Sequence, residues 1–171
     1  MDFMTLAEKR YSVRKYMQKP VEAEKLQAIL EAGRLAPTGA NRQPQKVYVL
    51  QSPEMIDRFK SVCKHHYGAP IVLLVCADEN IAWHSPWNET YNCAEIDISI
   101  VITFMMMEAV ELGLGTLLVR GFNPQDLATA LELPKQWKPM CGLLIGYEAQ
   151  DSQPHALHFA NKELSELVEI L

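Results

Sequence analysis

Residues 92–115 read "NCAEIDISIVITFMMMEAVELGLG", and how they are interpreted decides the fold. The ten residues 98–107 are nearly all apolar, with Glu95, Asp97, Glu108 and Glu111 on either side. Ten residues are too few to cross a bilayer, which takes about 20 in a helix. A helix apolar all round is buried on all sides. A chain of 171 residues can hardly enclose such a helix by itself, so a second copy of the chain is the expected second cover. The following "GLGTLL" (residues 113–118) starts like a dinucleotide fingerprint. It lacks the third glycine and follows a helix instead of a strand, so it reads as a glycine helix stop.

Working outward, residues 5–10 suggest a short helix, and Pro20-Val21 opens a longer one with apolar Leu26, Ile29 and Leu30 at helical spacing. Pro37 and Gly39 end it. Strands are expected at 46–51, 70–77, 116–120 and 141–147. Ser52-Pro53 caps a helix running to about Val62, another covers 124–131, and 161–171 reads as a closing amphipathic helix. About four strands without regular βα alternation point to an α+β fold. No repeat or linker divides residues 1–171, which are expected to form one domain.

Asp and Glu outnumber Lys and Arg by 21 to 16, a net charge of -5. That balance argues against nucleic acid or a membrane surface as partner, since both attract a positive field. "MDFMTLAEKR" has no apolar core of a signal peptide, and Cys63, Cys76, Cys93 and Cys141 show no C-x-x-C spacing. A cytoplasmic protein with reduced thiols is expected. Cys63, His65 and His66 fit no common zinc spacing, so no metal is assigned. Glu95 and Asp97 are either helix-start charges facing a positive dipole or members of a pocket or interface.

Two clusters stand out. In "RYSVRKY" (residues 10–16), Arg10, Ser12 and Arg14 alternate, so an extended chain puts all three on one face. Two guanidiniums and a hydroxyl suit a phosphate monoester, although a solvated basic patch has the same composition. "APTGANRQPQ" (residues 36–45) is a loop rich in donors and acceptors, suited to reading the polar edge of a planar heterocycle or simply joining helix to strand.

Taken in order, these segments resemble the nitroreductase family of flavin enzymes over nearly the whole chain. "KRYSVRKY" is similar to the family's R-x-S-x-R segment, and "APTGANRQP" to its P-S/T-x-x-N-x-Q-P loop. "AEIDISIVITFMMMEAVELGLGTLLVRGF" resembles its central dimer helix, G-L-G turn and flavin-facing strand, and "LLIGY" its late strand. The resemblance implies a mostly antiparallel central sheet flanked by helices, with the long buried helix at a homodimer interface. It implies FMN as cofactor and NAD(P)H as electron donor, with electrons passing through flavin N5 to a small acceptor such as a nitroaromatic or quinone, by ping-pong exchange. A family relative using dioxygen or another donor, a non-catalytic FMN-binding protein for storage or sensing, and a structural dimer with an empty site are the other readings.

By the same resemblance, Arg10, Tyr11, Ser12 and Arg14 bind the cofactor at its phosphate. Pro37, Thr38, Asn41 and Gln43 contact the flavin, partly across the dimer, and the backbone of Arg120 and Gly121 lies near N5. No side chain is assigned an acid–base role, because the flavin carries the chemistry. Family members often have a small or acidic residue where this chain has Arg120, and a basic tail residue near the phosphate, for which His158 and Lys162 are the candidates. Trp83, His84 and Trp87 fall in the variable loop over the flavin face and either stack on an aromatic substrate or pack the loop down.

Overall fold

The computed structural model describes residues 1–171, except for the side chain of Glu89. Six helices and six strands follow in the order α1 (Phe3–Lys9), α2 (Ala23–Leu35), β1 (Gln45–Leu50), α3 (Pro53–Val62), β2 (Ile71–Ala77), β3 (His84–Ser85), β4 (Asn88–Asn92), α4 (Ala94–Glu111), β5 (Gly115–Val119), α5 (Pro124–Ala130), β6 (Lys138–Gly146) and α6 (Leu164–Leu167). Short 3-10 turns occupy Gly39–Asn41 and Ala156–Phe159. The central sheet has the order β1-β2-β6-β5, with every neighbouring pair antiparallel. This is the α+β architecture expected from the sequence.

Strand pleating sorts the core into two layers. Ile71, Leu73, Val75 and Ala77 of β2 face α2 and α4, while Val72, Leu74 and Cys76 face α3 and α5. Both faces are therefore covered, and β2 reads as an uninterrupted apolar run because no position meets water. Each enclosed Val, Leu or Ile contributes about 1.5–3 kcal/mol. Strand β6 starts three residues before the expected Cys141, at Lys138. Pro139 is accommodated there because the β2–β6 register shifts between Val75 and Cys76, where a missing N–H breaks no regular ladder.

Helix α4 ends in a Schellman turn: Gly113 N–H donates to Val110 O and Leu114 N–H to Ala109 O. Gly113 adopts φ +78°, which a glycine tolerates without strain. The "GLG" run is thus a helix stop, as read from the sequence. Gly115 then allows a close approach, since a Cβ there would come within 2.7 Å of Val13 Cγ2.

As expected of a helix that one chain can hardly enclose, α4 is covered on one side only within the chain. Asp97, Ile98, Val101, Ile102, Met105, Ala109 and Val110 face inward. The opposite stripe is open, with Ile96 50% and Phe104 43% exposed. The variable loop that holds Trp83, His84 and Trp87 contains the β3–β4 hairpin. The closing helix expected over 161–171 is one turn, Leu164–Leu167, held by a Glu163–Glu166 capping box. Its apolar side chains Leu164, Leu167, Val168, Ile170 and Leu171 are exposed, so no packing extends the helix. No described helix is long and apolar enough to cross a membrane.

Candidate flavin site

The basic segment is extended and lies along the outer edge of β5. Ser12 makes a parallel bridge to Thr116, and Val13 N–H donates to Thr116 O at 2.9 Å. Further along, Met17 N–H donates to Tyr147 O, and Ala149 N–H to Lys15 O. Along this extended path Val13 is buried under β5, Arg10 and Ser12 are half-buried and Arg14 is exposed, although Tyr16 breaks strict alternation by being buried as well. Arg14 donates to Ser12 O at 3.1 Å, which keeps its guanidinium near the hydroxyl. Three donors on one edge are a chemically suitable set for a phosphate.

Tyr11 is directed elsewhere. Its hydroxyl donates to Glu148 and shares a 3.0 Å hydrogen bond with Ser152. Partial burial, and then the Glu148 hydrogen bond, raise its pKa above the ordinary phenol value. Beside it, Lys15 pairs with Asp151 at 2.6 Å. These contacts fasten the segment to the chain after β6. His158 of the tail packs edge-on to Tyr11, with ring centroids 6.3 Å apart, whereas Lys162 is exposed.

The loop 37–44 is tightly built. Asn41 N–H donates to Thr38 O and Arg42 N–H to Gly39 O, and Thr38 Oγ1 accepts from Gln43 N–H at 3.0 Å. Ala40, Asn41 and Gln43 have φ of 48°, 55° and 49°, in the left-handed region. Each such residue costs on the order of 1 kcal/mol, so surrounding contacts must impose the conformation. Pro37, Asn41 and Gln43 are exposed and Thr38 half-buried, leaving a polar rim free to meet a ligand.

Strand β5 carries the chain to Arg120 and Gly121, back at the first turn of α4. Arg120 Nη2 donates to Glu95 Oε1 at 2.8 Å. That hydrogen bond holds the Glu95 carboxyl below its ordinary pKa, with the guanidinium charge adding to it. Arg120 is therefore a paired cation, not the free one its position in the sequence suggests. A Cβ at residue 121 would come within 2.7 Å of His65 Cδ2, so glycine lets the His65 ring lie against this backbone.

The structure thus sets the phosphate-type donors and the planar-ligand elements at opposite ends of α4. Arg10 lines a small cleft with Val110, Gly113 and Leu114, while Gly39 and Arg120 contact Asp97 and Glu95. Residues 97 and 110 are thirteen positions apart, about 20 Å along the axis. One FMN is shorter than this separation, so the two ends of α4 in a single chain do not meet the same molecule; taken separately, the Arg10, Ser12 and Arg14 donors fit the FMN phosphate and the polar rim of the 37–44 loop fits its ring. A wider cleft of about 810 Å³, lined by Asn123, Trp137 and Lys138, contains none of the residues expected from the sequence. Of the expected residues, Arg10 and Tyr11 line the small cleft beside Val110 and Gly113, while Pro37, Asn41, Gln43 and Arg120 are exposed.

The variable-loop residues separate. Trp83 packs on the flavin-type loop, its Cβ 3.0 Å from where a Cβ on Gly39 would stand. His84 bonds through Nε2 to Glu79 O, and Trp87, between β3 and β4, is 88% exposed. Cys63 is enclosed and its thiol raised by burial, and no group of three potential metal ligands gathers among the described residues.

Sequence reasoning missed the contacts of His65 and Glu95 with the Arg120–Gly121 segment, which no local spacing reveals. It left Asp97 open, although a signal existed: Asp97, Val101 and Met105 recur at i, i+4 and i+8 on one inward face.

The fold and clusters define an α+β protein with a helix-flanked antiparallel sheet, a donor-rich edge segment and a rigid polar loop. The nitroreductase family model matches residues 7–67 and 63–147, and the chain belongs to that family. It is 37% identical over 162 residues to the FMN reductase (NAD(P)H) of Bacillus subtilis strain 168, covering 82% of this chain and 64% of that relative's length. It is 24% identical over 185 residues to the NADH dehydrogenase of Thermus thermophilus, covering 90% of each. The crystal structure of a nitroreductase family protein from Clostridium difficile 630 superposes with a TM-score of 0.92 at 40% identity, covering 99% of this chain and 98% of that one.

Proposed function

We propose that residues 1–171 form one FMN-binding domain that works as a homodimeric, cytoplasmic NAD(P)H oxidoreductase, passing electrons by ping-pong exchange to a small acceptor such as a nitroaromatic or quinone. One observation carries this reading: at one end of α4 Arg10 opens the donor segment that runs through Ser12 to Arg14, and at the other the Pro37–Gln43 loop lies with Arg120 and Gly121, two halves that a pair of chains would join into one site. The Bacillus subtilis relative, named for FMN and NAD(P)H, supports the same cofactor pair. When bound, FMN supplies the redox chemistry, accepting a hydride equivalent from the donor and releasing electrons to the acceptor. The chain's own task is binding and orientation. Arg10, Ser12 and Arg14 hold the phosphate, with Tyr11 anchoring their backbone to Glu148 and Ser152. Pro37, Thr38, Asn41 and Gln43 face the ring, and the Arg120–Gly121 backbone lies beside it.

The homodimer reading is supported by the open stripe of α4 at Ile96 and Phe104 and by the exposed apolar tail. Such surface in water is costly, at about 25 cal/mol per Å². Reduced thiols support the cytoplasm: all four cysteines are free, and burial pushes the Cys76 and Cys141 thiols up to about 12. The rival reading of a storage or sensing protein would be favoured by tryptophans sealing the pocket. Trp87 is 88% exposed and Trp83 is packed on the loop, so in the single chain they seal nothing.

The test is a spectrum of the purified protein followed by anaerobic addition of NADH and then NADPH. A yellow protein whose flavin bleaches is expected. Failure to bind FMN at micromolar concentration refutes the proposal, and bound FMN that neither donor bleaches favours the storage reading.

A further inference from the structure

Asp97 is 2% exposed on a helix whose inward face is otherwise apolar. Its Oδ1 accepts from Gly39 N–H at 2.8 Å, a contact between α4 and the middle of the strained loop. Its Oδ2 is enclosed without a hydrogen-bond partner. A buried carboxylate with one hydrogen bond is a poor stabiliser of a fold, because desolvation offsets most of the gain. The location explains it better. Gly39 is wedged between Trp83 and Cys93, where a Cβ would meet Trp83 Cβ at 3.0 Å and Cys93 Cβ at 3.3 Å. That fit brings the Gly39 N–H to the carboxylate, directly before three left-handed residues in four positions.

We infer that Asp97 is the positioning residue of the flavin-facing loop: by gripping Gly39 N–H it fixes the rim presented by Thr38, Asn41 and Gln43. The inference rests on the reading of that loop as the one facing FMN. Asp97 touches the loop from behind, so its effect falls on the ring and not on the phosphate. The carboxylate makes a charge-assisted bond to the N–H, which an amide oxygen reproduces in place but more weakly.

The test compares the native protein, Asp97→Ala and Asp97→Asn by titration of each apoprotein with FMN and with riboflavin. The visible circular dichroism of bound flavin and the melting temperature of each apoprotein are recorded alongside. Asp97→Ala should weaken both flavins by a similar factor, about tenfold, leaving the FMN-to-riboflavin ratio unchanged. Its bound flavin should show an altered dichroism band. Asp97→Asn should recover much of the affinity and the native band. Should Asp97→Ala not fold, Asp97→Asn decides alone: a loss of a few-fold common to both flavins supports the inference, and native affinity with a native band overturns it. A folded Asp97→Ala with native affinities, or with a loss confined to FMN, also overturns it, as does a loss no smaller in Asp97→Asn. A native protein that binds neither flavin overturns the functional reading and this inference together.

Discussion

Replacing Phe104 with Asp is the perturbation that separates the interface from the core. Phe104 lies on α4 one turn beyond Ile100 and two beyond Ile96, and 43% of it remains exposed in the single chain. An aromatic side chain buries roughly 150–250 Å² when enclosed, so about 65–110 Å² is left for a partner to cover. At about 25 cal/mol per Å² this is about 1.6–2.7 kcal/mol per protomer. Twofold symmetry counts it twice, about 3.2–5.4 kcal/mol, or roughly two to four powers of ten in the dimer dissociation constant. The introduced carboxylate adds its own desolvation cost. Ile102, equally apolar in sequence, is 1% exposed and faces its own chain's core, so a charge there unfolds the protomer and reports nothing about assembly. Sedimentation velocity over a concentration series, followed at a flavin wavelength, is the assay. Phe104→Asp should sediment as a folded monomer that has lost flavin. A flavin-loaded dimer with native concentration dependence would refute the assignment of this face.

Arg14→Ala should weaken FMN by roughly tenfold to over a hundredfold, the loss of one charge-assisted contact, and leave riboflavin nearly unaffected in titration; equal weakening of both would remove Arg14 from the phosphate site. Glu95→Gln should release the Arg120 cation and raise kcat/KM for an anionic acceptor such as ferricyanide relative to a neutral quinone, while Arg120→Gln should shift the ratio the other way. Both partners are well exposed, at 60% and 64%, so the pair is worth under about 1 kcal/mol and the change should be at most about fivefold, shrinking as salt rises. Because Arg120 lowers the Glu95 pKa, the pair is intact above the ordinary carboxylate range and is lost only as pH falls through the lowered value. The acceptor ratio should therefore be flat from about pH 6 to 8 in steady-state assays, about two units clear of that range. Identical ratios in native protein and both variants would make Arg120 a solvated strand-end residue.

Period and punctuation alone determined most of the elements. β2 was legible because a strand covered on both faces needs an unbroken apolar run, and the end of α4 because Gly113 is the residue a left-handed stop favours. The extended path of the segment from Arg10 to Arg14 was legible too, since its alternating polar and apolar residues suit a strand-like edge. Short-range rules could not supply what depends on distant partners. The tail reads as an amphipathic helix, yet it forms one turn because within the chain it finds nothing to pack against. Glu95 and Asp97 look alike in sequence, two acids at a helix start. Two residues rotate a helix by about 200°, and tertiary packing then decided which pointed to water beside Arg120 and which was enclosed beside Gly39. His65, from the segment between α3 and β2, meets Gly121 only because β2, β6 and β5 are paired side by side. The sequence by itself therefore determined the elements and the chemistry of each cluster. The tertiary structure decided which segments meet, because that depends on contacts between residues tens of positions apart.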